Sequence, residues 1–175
     1  INELASGDLK EFTSKVKNYK YLLNTLLQVY LSILSLHNLN IFHNDSHWGN
    51  FLYHRIKPGG YFHYIINNTN VYIENLGFYW VIWDFGLSIS DHQEYFLEDY
   101  GRIISAFISK QKRGWNTMIK TDNQNILDIK NIFNTFKTEK NLFDYLIDNK
   151  LFITTKPDVI LNKKPYILNT YSKFL

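Results

Sequence analysis

The sequence predicts one α+β domain that is mainly helical and carries a small antiparallel sheet. Three observations predict this class. Apolar residues at steps of three and four run from Asn18 to Leu36, strand-like runs separated by turn residues fill 51–83, and helical spacing returns after Tyr95. A length of 175 residues suits a single domain with its own core.

The composition excludes several classes of protein. Apolar residues make up 45% of the chain and charged residues 20%, which is typical of a globular protein. No cysteine is present, so disulfides, thiolate chemistry and cysteine-ligated zinc are excluded. A net charge of +3 is too balanced to indicate nucleic acid binding, and no apolar run approaches the roughly 18 residues of a membrane span. We therefore expect neither nucleic acid nor a membrane as a partner.

Helix signals occur at both ends of the chain. Ser6-Gly7-Asp8 is typical of a turn or cap and precedes a short predicted helix at 9–12. The long helix that begins at Asn18 has a broad apolar face, so it is expected to be buried on most sides, and it should end near His37 and Asn38. Further helices are predicted at about 94–110, 126–136 and 142–147, followed by an irregular tail from Thr154.

Strand signals fill the middle of the chain. A strand is predicted at 51–56, and it runs into the turn Lys57-Pro58-Gly59-Gly60. Two alternating runs, 61–66 and 71–74, flank an Asn-rich turn at 67–70 and predict a β-hairpin that extends the small sheet. The run at 78–83 is apolar on both faces and predicts a buried strand.

Two segments carry residues that suit phosphoryl transfer. The loop that follows the long helix contains Asp45 and, five residues later, Asn50, and Asp84 follows the apolar strand directly before Phe85-Gly86. An Asp that accepts a hydroxyl proton, together with an Asn and a second Asp that bind Mg²⁺, meets the needs of that chemistry. The alternative is that Asp45 and Asn50 cap backbone amides in a loop and that Asp84 is a turn or N-cap residue.

Together these segments resemble the catalytic loop and the Asp-Phe-Gly motif of protein kinases. The loop reads His43-Asn44-Asp45, followed by Asn50, where the family has His-Arg-Asp and then Asn. The resemblance implies that Asp45 is the catalytic base, that Asn50 and Asp84 bind Mg²⁺ and nucleotide, and that His43 holds the loop. It implies a Ser/Thr protein kinase-like phosphotransferase that uses ATP and Mg²⁺ to phosphorylate a hydroxyl group on a protein or a small molecule.

The resemblance covers most of the chain. Residues 3–9 are similar to a kinase hinge, so Glu3 and Ala5 are expected to contact the nucleotide, and Asp99 is expected either to anchor the catalytic loop or to lie in solvent. The resemblance implies that residues 1–175 form a protein kinase-like C-terminal lobe. The chain shows no Gly-rich phosphate loop and no Val-Ala-x-Lys strand before Asp45. We therefore expect an N-terminal lobe supplied in cis or in trans, and little activity from this chain alone.

Several departures place the chain among atypical kinases. Asn44 stands where the family has Arg, and His47 stands where it has the Lys that contacts the transferring phosphate. The pattern His-x-Asp-x-His-x-x-Asn is similar to that of aminoglycoside and choline kinases, and both motif strings resemble kinase-like proteins of giant DNA viruses. Abundant Asn, Ile and Lys, which have AT-rich codons, agree with a viral protein. Together with the lack of cysteine, this predicts an intracellular, cytoplasmic location, in the host cell or in the virion.

Two other function classes stay open. His43, Asp45 and His47 alternate, and on an extended segment they would lie on one side, where zinc or iron could bind in a metal-dependent hydrolase. A non-catalytic pseudokinase or binding module is the other, with the aromatic hairpin at 61–72 as a partner surface. Retained zinc would favour the hydrolase, and magnesium required only with nucleotide would favour the kinase.

Overall fold

The computed structural model describes residues 4–16, 18–108 and 135–171, with the side chains of 104–108 left out. It confirms a mixed α+β fold with small sheets. Four helices and eight strands lie within these ranges. The helices are α1 (Leu9–Lys15), α2 (Tyr19–His37), α3 (Phe96–Ile108) and α4 (Glu139–Asp148). The strands are β1 (Gly7–Asp8), β2 (Ile41–Phe42), β3 (Phe51–Arg55), β4 (Tyr61–Ile66), β5 (Thr69–Glu74), β6 (Phe78–Ile82), β7 (Ile89–Ser90) and β8 (Tyr166–Leu168).

Polar caps set the helix boundaries. Asp8 accepts a hydrogen bond from the Glu11 backbone N–H, and Asn18 accepts one from Lys20, so both cap helix N-termini. Asn38 is the C-cap of α2, as its position in the sequence predicts. The predicted helices at 94–110 and 142–147 are confirmed as α3 and α4, whereas the one predicted at 126–136 lies almost wholly outside the described residues.

Helix α2 forms the centre of the core. Its apolar residues recur around most of the helix, so that one side packs on the sheets and another on α3. The buried apolar residues that α2 contributes are Leu22, Leu26, Leu27, Val29, Tyr30, Leu31, Ile33, Leu34 and Leu36. The prediction of a helix buried on most sides is confirmed. Within the described residues, no helix is both long and apolar enough to cross a membrane.

The first sheet is antiparallel and places both motif segments side by side. Its order is β1-β3-β6, and residues 51–55 of β3 pair with residues 82–78 of β6. Strand β3 begins directly after Asn50, and β6 ends two residues before Asp84. Residues 43–50, here called the catalytic-like loop, lie between β2 and β3 in the sequence. Strand β2 pairs with β7 in a separate two-stranded sheet.

Strand β6 differs from its prediction as a strand buried on both faces. Phe78 and Trp80 are buried, but their neighbours are half-buried, and Trp83 is 61% exposed beyond the strand end. Among the described residues, no further strand pairs with the outer edge of β6. Instead the Gln28 side chain of α2 accepts a hydrogen bond from the Trp80 N–H at 3.1 Å and donates one to the Phe78 carbonyl at 3.4 Å. A helix side chain therefore pairs with this part of the sheet edge.

The predicted hairpin forms, but it belongs to a second sheet. Strands β4 and β5 pair in register from Tyr61 opposite Glu74 to Ile66 opposite Thr69. The turn is tighter than predicted, because Asn67 and Asn68 alone adopt positive φ angles, of 48° and 65°. The expectation that the hairpin extends the first sheet is wrong, since the order β5-β4-β8 makes a separate sheet.

The tail also differs from its prediction. Residues beyond Thr154, expected to be irregular, include β8, which pairs in parallel with β4 from Tyr64 opposite Tyr166 to Ile66 opposite Leu168. The second sheet is therefore mixed rather than purely antiparallel. Three residues become a strand here because β4 offers an unpaired edge with aromatic and aliphatic neighbours.

Candidate functional site

The catalytic-like loop is anchored from below by Asp99 of α3. This carboxylate is fully buried and accepts the backbone N–H of His43 at 2.8 Å and that of Asn44 at 3.1 Å. The Ser46 hydroxyl donates to the Asp99 carbonyl at 2.8 Å. Of the two roles expected for Asp99, the anchoring role is confirmed. Asp99 thereby holds the loop on both sides of Asp45.

A buried histidine holds Asp99 in turn. His37, at the end of α2, lies 3.2 Å from Asp99 through Nε2 and bonds Glu139 of α4 through Nδ1. Its ring stacks on Phe96 at 3.9 Å between centroids, nearly parallel. Burial lowers the pKa of His37, but the hydrogen bonds to Asp99 and Glu139 outweigh burial and raise it. The raised pKa favours the protonated ring, which donates from both nitrogens and so suits a position between two carboxylates.

Trp83 joins the two motifs through its backbone. Its N–H donates to the Asn50 carbonyl at 2.8 Å, and its carbonyl accepts from His43 Nε2 at 2.9 Å. His43 is fully buried, and its other nitrogen, Nδ1, lies 3.3 Å from the Asp45 N–H and accepts from it. His43 therefore holds the loop, as the sequence predicts. These bonds bring the residue before Asp84 against both ends of the loop.

Asp45 and Asn50 are in direct contact. The Asn50 amide nitrogen donates to the Asp45 carbonyl at 2.8 Å and lies 3.3 Å from Asp45 Oδ2. Because a carbonyl only accepts, this bond identifies the nitrogen and leaves the Asn50 amide oxygen for another ligand. His47 Nδ1 accepts from the Gly49 N–H, and its Nε2 lies 3.6 Å from Asp45 Oδ2. The Asp45 side chain stays 34% exposed and reachable.

Asp84 lies at the exposed end of this arrangement. It has a positive φ of 58°, a left-handed conformation that a non-glycine residue adopts at a cost of about 1 kcal/mol unless its surroundings fix it. Its Oδ1 accepts the Gly86 N–H at 3.2 Å, so the turn role weighed from the sequence is present. The side chain is exposed, and carboxylate and amide oxygens are the ligands that Mg²⁺ prefers. Asp84 and Asn50 thus have the donor chemistry for that ion.

The hinge-like segment lies beside the first sheet. Ala5 is half-buried, and the next residue, Ser6, donates its N–H to the Tyr53 carbonyl on β3. Glu3 lies outside the described residues. Ala5 therefore lies beside β3, the strand that begins directly after Asn50.

Exposed apolar residues, here called the apolar rim, flank Asp84 in the sequence and occur at Leu4. Large apolar side chains cluster in sequence around Asp84 and at the start of the described chain, and they keep between 47% and 91% of their surface exposed. They are Leu4, Trp83, Phe85 and Leu87. Such side chains suit contact with another apolar surface.

The histidine–aspartate set of the hydrolase alternative does not assemble as a metal centre. Both ring nitrogens of His43 are engaged with backbone groups, so alternation along the loop does not make it a ligand. Among the described residues, no group of three or more His, Cys, Asp and Glu side chains is placed to hold a metal ion. Asn is not among these four residue types, so this absence does not bear on a metal site formed by Asn50 and Asp84.

Sequence reasoning missed the support beneath the loop. No local pattern links His37 to Glu139, because the two are 102 positions apart. Tyr100 and Tyr171 complete the cluster: the Tyr100 hydroxyl donates to Glu139 Oε1 at 2.8 Å, and the Tyr171 N–H donates to Oε2 at 3.0 Å. One sequence feature could have indicated this support: His37 is an ionisable residue at the end of an apolar helix, just before the motif that begins at His43.

Comparison with known proteins identifies no family for the chain, so the interpretation depends on the geometry of the site. No protein-family model matches the chain, and no curated protein was found to be similar to it. The contacts among Asp45, Asn50, His43 and the Asp84 segment are therefore the basis for the function proposed next.

Proposed function

We propose that the chain is a protein kinase-like C-terminal lobe of an ATP-dependent phosphotransferase, which transfers the γ-phosphate to a hydroxyl group on a protein or small molecule. The observation that carries the proposal is the pair of backbone hydrogen bonds from Trp83. They tie the segment that holds Asp84 to the loop that holds Asp45 and Asn50. Two motifs that are 39 positions apart, from Asp45 to Asp84, become one site.

Asp45 is the proposed general base. Its carboxylate is one-third exposed and is held by the Asn50 amide, so it can face an incoming hydroxyl while its orientation is fixed. His47 lies within 3.6 Å of it and is the proposed contact for the transferring phosphate. Because phosphoryl transfer depends on positioning and charge neutralisation, the fixed loop backbone contributes as much as any side chain.

Asn50 and Asp84 are the proposed ligands of Mg²⁺, which would neutralise charge on the nucleotide phosphates. Both offer an oxygen: the amide oxygen of Asn50, whose nitrogen is engaged with Asp45, and the exposed carboxylate of Asp84. A second lobe, in cis or in trans, would enclose the nucleotide. The apolar rim at Trp83, Phe85 and Leu87 suits such a neighbour, and Glu3 and Ala5 are the proposed hinge contacts.

The test uses the whole protein, with a hydroxyl group of the protein itself or of an added substrate as the phosphate acceptor. Labelled phosphate transfer from ATP with Mg²⁺ should fall by at least about 10²-fold in Asp45→Asn and in Asp84→Ala, because the first loses a general base and the second a metal ligand. Asp158→Ala, which changes an exposed acid in the tail, is the matched control and should keep full transfer.

A binding measurement separates catalysis from recognition. With Mn²⁺ in place of Mg²⁺, paramagnetic broadening of backbone NMR signals in the presence of ATP should centre on residues 50 and 84 and disappear in Asp84→Ala. Mn²⁺–ATP binding without transfer would make the protein a non-catalytic binding module. Undiminished transfer by Asp84→Ala would refute the kinase assignment, and tightly retained zinc in the purified protein would favour the hydrolase.

A further inference from the structure

A cavity of about 410 Å³ lies between α2, β6 and the second sheet. None of the residues of the candidate site lines it, but Trp80 does, four positions before Asp84 on the same run of chain. Five of the residues that line it are aromatic: Phe62, Tyr64, Tyr79, Trp80 and Tyr166. Its volume falls within the range of roughly 300–1,000 Å³ that is typical of small-molecule sites.

The strand register explains the aromatic wall. Phe62 and Tyr64 are two residues apart on β4, so their side chains lie on one face. Tyr166 on β8 lies opposite Tyr64, with ring centroids 5.0 Å apart. Tyr79 of β6 lines another part of the cavity, and Tyr166 is 50% exposed. Trp80, the next residue on β6, points to the opposite face of the strand, where its ring packs against Phe12 and Tyr53. Aromatic rings from β4, β6 and β8 therefore line the cavity.

The floor is polar but uncharged. Ser32 and Gln28 lie one turn apart on α2, and the Ser32 hydroxyl donates to the Gln28 carbonyl at 3.0 Å, which leaves its oxygen able to accept. The Gln28 side-chain amide is engaged with the edge of β6. None of the lining residues is a Lys, Arg, His, Asp or Glu. A charged ligand would lose its hydration here without gaining an opposite charge.

We infer that this cavity binds a flat, uncharged aromatic molecule of two or three fused rings. Flat rings gain offset or edge contacts with the rings of Phe62, Tyr64 and Tyr79, which line the cavity. A hydroxyl on such a ligand can donate to Ser32. The ligand contacts β6, the strand that leads to Asp84.

The first experiment is a ¹⁹F NMR titration of protein labelled with 5-fluorotryptophan. The chain has four tryptophans, and Trp80→Phe assigns the Trp80 signal. The probes are 2-naphthol, its charged analogue 2-naphthoate, and the saturated analogue decahydro-2-naphthol. We expect a saturable shift of the Trp80 signal with 2-naphthol and binding that is at least about tenfold weaker for the other two. No saturable shift with 2-naphthol, or equal binding of all three, would overturn the inference.

The second experiment fills the cavity. Ser32→Leu places a larger side chain on the floor and should weaken 2-naphthol binding at least about tenfold. Ser35→Leu is the matched control, because Ser35 is also half-buried on α2 and also donates to the carbonyl four residues earlier, yet it does not line the cavity. Its binding should equal that of the wild type. If Ser32→Leu does not fold, Phe62→Leu, which removes one wall ring, decides in its place. Unchanged binding in the folded cavity variant would place the ligand elsewhere and overturn the inference.

Discussion

Asp99 accepts hydrogen bonds from two backbone N–H groups of the loop and one from a buried imidazole. The loop bonds come from His43 and Asn44, and the third comes from His37. Asp99, His37 and His43 are fully buried, so water cannot easily replace a partner that they lose. The Arg102 side chain of the same helix also donates to the Asn44 carbonyl. The geometry of the loop therefore depends on the charge of one residue below it.

Replacing Asp99 with Asn tests this dependence. One amide oxygen cannot accept all the hydrogen bonds that the carboxylate accepts, and His37 loses a charged partner, so Asp99→Asn should lower the free energy of unfolding by about 3 kcal/mol. Glu98→Gln changes the neighbouring acid, which is 56% exposed, and should cost less than about 0.5 kcal/mol. Urea denaturation followed by circular dichroism measures both. Equal stability of the two variants would contradict the anchoring role.

At the scale of elements, the side chain of Asn67 adds to the contacts between the hairpin and the tail. Asn67 lies in the β4–β5 turn, donates from its amide to the Thr170 hydroxyl at 2.6 Å, and accepts the Thr170 N–H at 2.9 Å. Asn68, beside it, is exposed and takes part in the turn only through its backbone conformation. The two asparagines share a left-handed backbone but differ in what their side chains do.

Replacement by glycine should therefore have different effects on stability at these two neighbouring positions. Asn68→Gly places glycine at the second of the two central positions of a type I′ turn. It should leave the free energy of unfolding unchanged or raise it by about 0.5 kcal/mol. Asn67→Gly keeps the turn but removes both bonds to Thr170 and should cost about 1–2 kcal/mol. Thermal unfolding of the two variants measures the difference. A loss at Asn68 as large as that at Asn67 would show that the turn, not the side chain, matters.

At the scale of the whole molecule, a buried charge cluster joins elements from distant parts of the sequence. His37 ends α2, Asp99 lies on α3, Glu139 begins α4, and Tyr171 lies beyond β8. The Tyr171 hydroxyl also donates to Asn40 at 2.6 Å and lies 3.2 Å from the His37 carbonyl. The tail, three helices and the loop are therefore joined at this buried cluster.

This cluster makes stability depend on pH. The pKa of His37 is raised in the folded state, so its contribution is fully present below the unfolded value of about 6.5 and is lost as the pH rises through the folded pKa. The free energy of unfolding should fall as the pH rises above 6.5, with a slope of up to about 1.4 kcal/mol per pH unit. Urea titrations across this range measure it. His37→Gln should flatten the slope, and an unchanged slope would place the titrating group elsewhere.

The sequence predicts the elements whose signals are local. Helix α2 follows from its apolar spacing and its two asparagine caps, and the hairpin follows from alternating runs around an Asn turn. The contacts of Asp45 with Asn50 and of His43 with Asp45 also arise within a few residues. Such features need no knowledge of the rest of the chain.

Features set by distant partners could not be predicted in this way. Strand β8 is three residues long and exists because β4 has a free edge about a hundred positions earlier. The one-sided burial of β6 follows from its place at a sheet edge, where α2 covers only part of it. The partnership of His37 with Glu139 likewise has no local pattern. In each case the decisive neighbour is supplied by tertiary packing.

The Gln28 amide at the outer edge of β6 has a consequence for the behaviour of many copies of this protein together. An open strand edge offers unpaired N–H and carbonyl groups to a strand from another molecule, and chains can join in this way into insoluble assemblies. Gln28 occupies the Trp80 N–H and the Phe78 carbonyl, on a strand made almost wholly of aromatic and aliphatic residues. One helix side chain thereby removes a template for self-association from the stretch of backbone that leads to Asp84.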